Sequence, residues 1–221
     1  MSDIYDFLER VAQNNSRTWL AANRGEYDDL RKQWTDDLQR LIDAMTVWNP
    51  GMRSQTPQSA TYRFYRDTRF SADKSPLKTY FSALLSPYGR KSPLAGYYIQ
   101  IDCRGNENGL YAGLWMPDAA FLSKMRHAIV DNIEEFEDIL HAPALKSHWK
   151  WCTAANSLKT APKGWPKDHP QIEYLRMRDY GLFCKCTRDF FRSPDWPGRA
   201  ADLFRICQPF VDFINYSLTE E

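Results

Sequence analysis

The sequence predicts an α+β protein in which N-terminal, central and C-terminal helices cover an antiparallel sheet of about four to six strands. Helical spacing of apolar residues dominates both ends of the chain, whereas strand-like runs gather in the middle and follow one another without intervening helices. With 221 residues, 43% of them hydrophobic and 26% charged, the chain can bury a sizeable core. We expect a single domain, residues 1–221, with a helical part (about 3–50), the sheet (about 61–117), a helix (about 118–140) and a mixed part (141–221).

Three helices are predicted in the N-terminal part. Residues 3–13 place their apolar side chains on one face of an amphipathic helix, and Ser16 is suited to cap a short second helix that carries Trp19. A long third helix follows and ends at Pro50 and Gly51, after which residues 52–60 read as a loop. Its apolar stripe consists of Tyr27, Leu30, Trp34, Leu38, Leu41, Ile42 and Met45.

The predicted strands begin in a segment rich in arginine, lysine and aromatic residues, from Tyr62 to Phe81, which we call the basic segment. Its first half favours a strand because aromatic residues dominate it, although arginine at every third position would also suit a helical turn. Residues 71–76 form a turn or loop, since Pro76 disfavours helix at the residue before it. Further strand-like runs occupy residues 77–85, 97–103, 110–116 and 181–187, and the polar loop 104–109 predicts a hairpin.

Helices are predicted again in the second half of the chain. Pro117 and Asp118 open a central helix that runs to about Leu140, and residues 141–170, punctuated by proline, predict short strands or irregular chain. Residues 172–177 form a helical turn or two. The closing helix spans 200–218 and buries Leu203, Phe204, Cys207, Phe210, Val211 and Ile214.

Charge is concentrated in the basic segment. The chain as a whole has a formal net charge of +1, which argues against a protein that coats nucleic acid or membrane with its entire surface. The segment itself carries a local charge of +3. Its positive residues are Arg63, Arg66, Arg69, Lys74 and Lys78, and its negative residues are Asp67 and Asp73.

This concentration predicts a site for an anionic small molecule. Arginine offers a fixed fork of donors that matches carboxylate or phosphate, and lysine adds a mobile point charge. Arg17 and Arg24 lie on one flank of the second predicted helix and its continuation, and Trp115 or Trp19 would stack on an organic part of the ligand. The predicted ligand-binding residues are Arg17, Arg24, Arg63, Arg66, Asp67, Arg69, Asp73, Lys74, Lys78 and Trp115.

Three other interpretations stay open. The charges of the segment could form ion pairs that pin the loop to the sheet, or lie on a solvated face. Alternatively, the segment and the lysines between Lys146 and Lys167 could bind nucleic acid or an acidic protein, a reading that the nearly neutral chain makes less favoured.

Signs of catalysis are sparse, and the sequence leaves open whether any reaction occurs. It contains no serine-hydrolase motif, phosphate-binding glycine loop, dinucleotide fingerprint or zinc-protease motif. His169 beside Asp168 would suit a proton carrier, but a helix-capping role is favoured. Five cysteines without a C-x-x-C pair predict reduced thiols in a cytoplasmic protein, and we expect no metal, no cofactor and no membrane span. Oligomeric state is not indicated.

Several spaced patterns extend over nearly the whole chain. The longest is Arg63-x-x-Arg66-Asp67-x-Arg69-Phe70-Ser71-x-Asp73-Lys74-Ser75-Pro76-x-Lys78. The others are Asn14-Asn15-x-Arg17-x-Trp19, Asn23-Arg24-x-x-Tyr27, Gly113-Leu114-Trp115-x-Pro117, Leu158-Lys159-x-x-Pro162-Lys163-Gly164, Asp168-His169-Pro170 and Pro209-Phe210-x-x-Phe213. In these patterns the chain resembles an uncharacterised family, found in bacteria and fungi, that is catalogued as domain of unknown function 2461.

The resemblance implies no established activity, substrate or cofactor, so it leaves the function open. Two positions depart from the family pattern: Leu20 stands where the family usually has phenylalanine, and Leu77 where it usually has tyrosine. If that tyrosine takes part in chemistry in the family, this chain lacks it.

Overall fold

The structure is a computed structural model that describes residues 3–105, 107–152 and 157–219. Side chains that accept hydrogen bonds from the first helical turn fix several helix starts. Asp3 accepts from Tyr5 N at 2.7 Å, and Ser16, the predicted cap of the second helix, accepts from Trp19 N at 3.1 Å. The helices in these ranges are α1 (Ile4–Gln13), α2 (Arg17–Ala22), α3 (Arg24–Thr46), α4 (Pro57–Ala60), α5 (Ala119–Asp131), α6 (Ile133–His141), α7 (Pro143–His148), α8 (Ile172–Leu175), α9 (Arg188–Arg192), α10 (Trp196–Ile206) and α11 (Gln208–Thr219).

The strands form a five-stranded antiparallel sheet, which confirms the predicted α+β class. They are β1 (Tyr80–Leu85), β2 (Gly96–Asp102), β3 (Gly109–Leu114), β4 (Lys150–Trp151) and β5 (Tyr180–Lys185), in the order β1-β2-β3-β5-β4. Because β2 and β3 are neighbours in this order, the hairpin predicted across residues 104–109 is confirmed.

Residue contacts divide the chain into two compact units. Unit 1 comprises Met1–Arg90, Tyr98–Leu110 and Lys185–Asp202. Unit 2 comprises Lys91–Tyr97, Tyr111–Cys184 and Leu203–Glu221. The expectation of a single domain stays a prediction.

Aromatic rings form the core of unit 1 against α3. The ring centroid of Phe64 lies 5.1 Å from that of Tyr27 and 5.4 Å from that of Phe81, and Trp34 lies 6.0 Å from Phe81. Each such pair adds about 0.5–1.5 kcal/mol beyond the burial of its apolar area. All seven residues of the predicted α3 stripe are buried, because the helical repeat keeps them on one face. Since Phe64 belongs to the basic segment, the core of unit 1 anchors that segment.

Phe136 of α6 is central to the core of unit 2. Its ring centroid lies 5.2 Å from those of Tyr174 and Phe213. Asn215 of α11 is buried in the same unit, where its side chain accepts a hydrogen bond from Ala95 N at 2.8 Å and donates one to Ala95 O at 3.2 Å. The buried amide is therefore paired on both its donor and acceptor sides.

The strand predicted for the first half of the basic segment is wrong as a continuous element. In the described residues this stretch forms only isolated antiparallel bridges, Thr61 with Ala83 and Tyr65 with Leu77, together with single backbone hydrogen bonds such as that from Lys78 N to Phe64 O. The two bridges are four residues apart on one side, from Thr61 to Tyr65, but six residues apart on the other, from Leu77 to Ala83. The unequal lengths interrupt the hydrogen-bond ladder between the two sides. The strand predicted from residue 77 accordingly begins only at Tyr80.

Two long helices predicted from apolar spacing are each interrupted once. Asn132 ends α5, donating from its side chain to Ala128 O at 3.1 Å, and α6 begins directly after it. Pro209 has no N–H to donate, so the closing helix divides into α10 and α11 at Cys207. The loop predicted at 52–60 contains the end of a 3-10 turn (Pro50–Ser54) and α4. Asn106 of the predicted hairpin loop and residues 153–156 of the predicted irregular stretch lie outside the described residues.

Among the helices of the described ranges, none combines the length and the apolar character that crossing a membrane requires.

Candidate functional site

Asn15 and Phe64 fix the position of the basic segment in unit 1. Asn15 donates from Nδ2 to Leu77 O at 2.9 Å and accepts from Leu77 N at 2.9 Å, so it pairs both backbone groups of one residue. Phe64, only 3% exposed, packs in the aromatic core, and its carbonyl accepts from Lys78 N at 2.9 Å. The backbone at Leu77 and at the N–H of Lys78 is thus held by groups outside the loop.

Arg66 organises the loop between residues 66 and 76. Its guanidinium forms an ion pair with Asp73 and donates to Ser75 O at 3.2 Å and to Ser71 Oγ at 3.3 Å. Hydrogen bonds from Ser75, with the Arg66 charge, hold the pKa of Asp73 well below its usual range. Arg66 therefore closes the loop upon itself.

Arg63 and Arg69 share Asp67. Arg69 donates to the two carboxylate oxygens at 3.0 and 2.8 Å, whereas the Arg63 guanidinium lies 3.8 Å from the nearer oxygen. The hydrogen bonds from Arg69 lower the pKa of Asp67 to about 2. All three groups are largely exposed, so the ion pairs contribute little to stability. The contacts agree with the ion-pair interpretation for Arg66 and Arg69, and only weakly for Arg63.

Lys74 and Lys78 differ from these arginines. Lys74 is exposed and donates from Nζ to Thr68 O at 3.0 Å. Lys78 is half-buried, with Nζ 5.1 Å from the ring centroid of Tyr62 and 5.3 Å from that of Tyr80. Burial, and then the positive charges of Arg63 and Arg90, lower the pKa of Lys78. Within the described ranges, no carboxylate forms an ion pair with Lys78.

Arg90 joins this group, although the sequence prediction did not include it. Its guanidinium carbon lies 4.9 Å from the ring centroid of Tyr62, and it donates to Thr61 O at 2.5 Å. No periodicity marks Arg90, which follows the turn at Gly89 and lies 12 residues from Lys78 in the chain. We call Arg63, Lys78 and Arg90, with the rings of Tyr62 and Tyr80, the Lys78 cluster.

Polar side chains of β2 lie beside the Lys78 cluster. The ring of Tyr98 meets that of Tyr62 edge-on at 6.1 Å, and its hydroxyl donates to Gln100 Oε1 at 2.6 Å. Gln100 in turn donates to Glu107 at 3.0 Å. Burial raises the pKa of all three tyrosines, Tyr62, Tyr80 and Tyr98, so their hydroxyls stay protonated at neutral pH.

The other residues predicted for the site have local partners or exposed side chains. Arg24 pairs with Asp28 at 2.9 Å, and Arg17 is exposed at the first residue of α2. Trp19 packs on Phe7, with ring centroids 5.7 Å apart. Trp115 is 73% exposed and belongs to unit 2.

His169 has a structural role in unit 2. Its Nδ1 accepts a hydrogen bond from Gln171 N at 3.2 Å, and its carbonyl accepts from Ile172 N at 3.0 Å, where α8 begins. The His169 side chain thus supports the turn that precedes α8, whose N-cap residue Gln171 has no side-chain cap, so the favoured capping role is not confirmed. No set of three or more His, Cys, Asp or Glu residues is arranged to hold a metal ion in the parts of the chain that are described.

A groove of about 1040 Å³ lies in unit 2 between α5, α6 and α11. Its charged lining is mixed, with Lys124 and the carboxylates of Asp131, Glu135 and Asp212. Burial raises the pKa of Asp212. None of the ten predicted site residues lines this groove, and its acidic groups do not favour an anion.

Comparison with known proteins gives one family. A family model described as "Conserved hypothetical protein (DUF2461)" matches residues 3–213. No curated protein and no solved structure matches the chain.

Proposed function

Because this chain belongs to the DUF2461 family of conserved hypothetical proteins, whose description states no activity, we propose a function from the site itself: the Lys78 cluster binds a small molecule that carries a phosphate or a carboxylate. The cluster replaces the wider predicted set, since Arg66 and Arg69 are engaged by Asp73 and Asp67.

One observation carries the proposal: a half-buried ammonium has two guanidiniums as its charged neighbours and no carboxylate partner in the described chain. Like charges near one another oppose folding unless a counter-charge lies between them. Asp67 forms only a long ion pair with Arg63, at 3.8 Å, and the same carboxylate also pairs with Arg69. A bound anion would supply the missing counter-charge and accept hydrogen bonds from all three cations.

A thermal-shift series with sulfate, phosphate, pyruvate and glucose 6-phosphate tests the proposal. A ligand at one hundred times its Kd stabilises the folded state by about 2.7 kcal/mol, which raises Tm by about 5–10 °C for a chain of this size. Lys78→Met and Arg90→Met should abolish the shift. Lys74→Met is the matched control and should keep it, because Lys74 is exposed and donates to the backbone carbonyl of Thr68. An equal shift in Lys78→Met and wild type would refute the proposal.

The alternative, a module that binds nucleic acid or an acidic protein, has its own supporting observation. Phe70 is 97% exposed at the tip of the loop, with the Arg69 guanidinium 5.8 Å from its ring centroid. An exposed ring beside arginine suits stacking on unpaired bases. Binding of single-stranded RNA that weakens steeply with salt, and that Phe70→Ala removes, would favour this function over the small-molecule site. The cytoplasmic location and the absence of a cofactor stay predictions.

A further inference from the structure

We propose that Lys78 is a nucleophilic amine that forms an imine with an aldehyde or ketone carrying a carboxylate or phosphate. The inference rests on the proposed function, because Arg63 and Arg90 are assigned to hold the anionic group while Lys78 reaches the carbonyl carbon. It adds a covalent step and a substrate class to the anion site.

Geometry distinguishes Lys78 from the other lysine of the segment. The rings of Tyr62 and Tyr80 lie 5.1 and 5.3 Å from its Nζ and restrict where the nitrogen can go. Its backbone is fixed by the bond from Lys78 N to Phe64 O and by Asn15 at the preceding residue. A nucleophile held in one place loses less freedom when it reacts than a mobile surface side chain does.

The charges around Lys78 favour the free amine, which is the reactive form. An ordinary lysine holds only about one part in a thousand as free amine near pH 7.4. A carboxylate partner would reduce this fraction further, but Lys78 has none in the described residues, and its charged neighbours are Arg63 and Arg90. Burial and a neighbouring cation are the two conditions that activate lysines for imine chemistry.

The chemistry balances with the groups that are present. The ammonium gives one proton to solvent, and the nitrogen lone pair forms a C–N bond to the carbonyl carbon. The C–O bond then breaks, and the oxygen leaves as water with one hydrogen from nitrogen and one proton donated by a hydroxyl or by solvent. The nitrogen keeps its last hydrogen, so the first product is the protonated imine, and loss of that hydrogen as a proton gives the neutral imine and restores the donor. The rings of Tyr62 and Tyr80 lie 5.1 and 5.3 Å from Nζ, and their hydroxyls, protonated at neutral pH, are the donors that we assign to this step.

Reductive trapping tests the inference on the full chain. Glyoxylate with sodium cyanoborohydride converts an imine at a lysine into N-carboxymethyl-lysine, which peptide mass spectrometry locates. We expect Lys78 to be modified about tenfold faster than Lys74, because a cluster of positive charges raises the local concentration of an anionic reagent by at least about this factor. Added sulfate should slow the reaction at Lys78 and leave Lys74 unchanged. Formaldehyde, a carbonyl without an anionic group, should show a smaller preference for Lys78.

Variants separate the failure of this inference from failure of the anion site. Lys78→Arg keeps the charge, so it should retain the thermal shift with sulfate and lose the trapped adduct, whereas Lys74→Arg should behave as wild type in both. A wild-type chain that is stabilised by sulfate but is modified equally at Lys78 and Lys74 would overturn the imine and leave the anion site standing. No stabilisation by any anion, together with equal modification, would overturn both.

Discussion

Asn15 should contribute more to stability than any other side chain that holds the basic segment through hydrogen bonds alone. Asn15→Ala removes both bonds to Leu77, each 2.9 Å long, at a residue that is only 1% exposed. A typical hydrogen bond contributes about 0.5–1.5 kcal/mol, and leaving a buried backbone group unpaired costs about 1–3 kcal/mol. We therefore expect a loss of roughly 2–3 kcal/mol in the free energy of unfolding.

Asn14→Ala provides a matched control one residue away. Asn14 donates from Nδ2 to Arg10 O at 3.0 Å, but that bond is exposed, so its loss should cost at most about 0.5–1 kcal/mol. Urea unfolding followed by tryptophan fluorescence measures both variants. The same comparison by heating predicts a Tm about 4–12 °C lower for Asn15→Ala.

The stability loss should have a functional counterpart, because Leu77 precedes Lys78. In Asn15→Ala the backbone beside Lys78 loses its anchor, so the sulfate-induced thermal shift and the trapping at Lys78 should both weaken. If Asn15→Ala is no less stable than Asn14→Ala, the bonds to Leu77 do not hold the segment and the reasoning is refuted.

Three further predictions concern the close approach of the backbone at Gly113, the pH dependence of sulfate binding and the carboxylate of Asp67. Gly113→Ala would place Cβ 2.1 Å from a backbone oxygen of β5, so it should lower the free energy of unfolding by about 3 kcal/mol or more. Gly164→Ala is the control, because Gly164 also has a positive φ but lies in open space, and it should lower that free energy by only about 1–2 kcal/mol. Equal losses of the two variants in urea unfolding would contradict the clash. Sulfate affinity should fall as pH rises through the lowered pKa of Lys78, since bound anion favours the ammonium, and calorimetry on Lys78→Arg should show a flat profile. Arg69 lowers the pKa of Asp67 to about 2, so the Asp67 carboxylate stabilises the fold fully above pH 3.8 and loses this contribution as the pH falls through about 2. In Arg69→Ala, an NMR titration should find the pKa of Asp67 closer to its ordinary value of 3.8. An unchanged pKa would exclude Arg69 as the cause.

Local patterns were good guides to the helices and to the hairpin. The stripe of α3 is buried throughout, and Ser16 caps α2, because both features depend on residues close together in sequence. Apolar spacing does not reveal the interruptions at Asn132 and Pro209, because it continues through both residues. The prediction of a strand at 62–67 is wrong because continuous pairing requires equal numbers of residues on both sides, and the opposite side, residues 77–83, is longer. The residues of 62–67 carry no information about the length of the side that they face.

The amino-acid order alone fixed the fold class, the helix faces and the local excess of positive charge, because each follows from spacing within a few turns or from composition. Only the tertiary structure decided which of those charges are already matched. It paired Arg66 and Arg69 with carboxylates of their own loop, and it brought Arg90 to the ring of Tyr62 beside Lys78. Electrostatic energy depends on distances through space and on burial, and these exist only once the chain has folded.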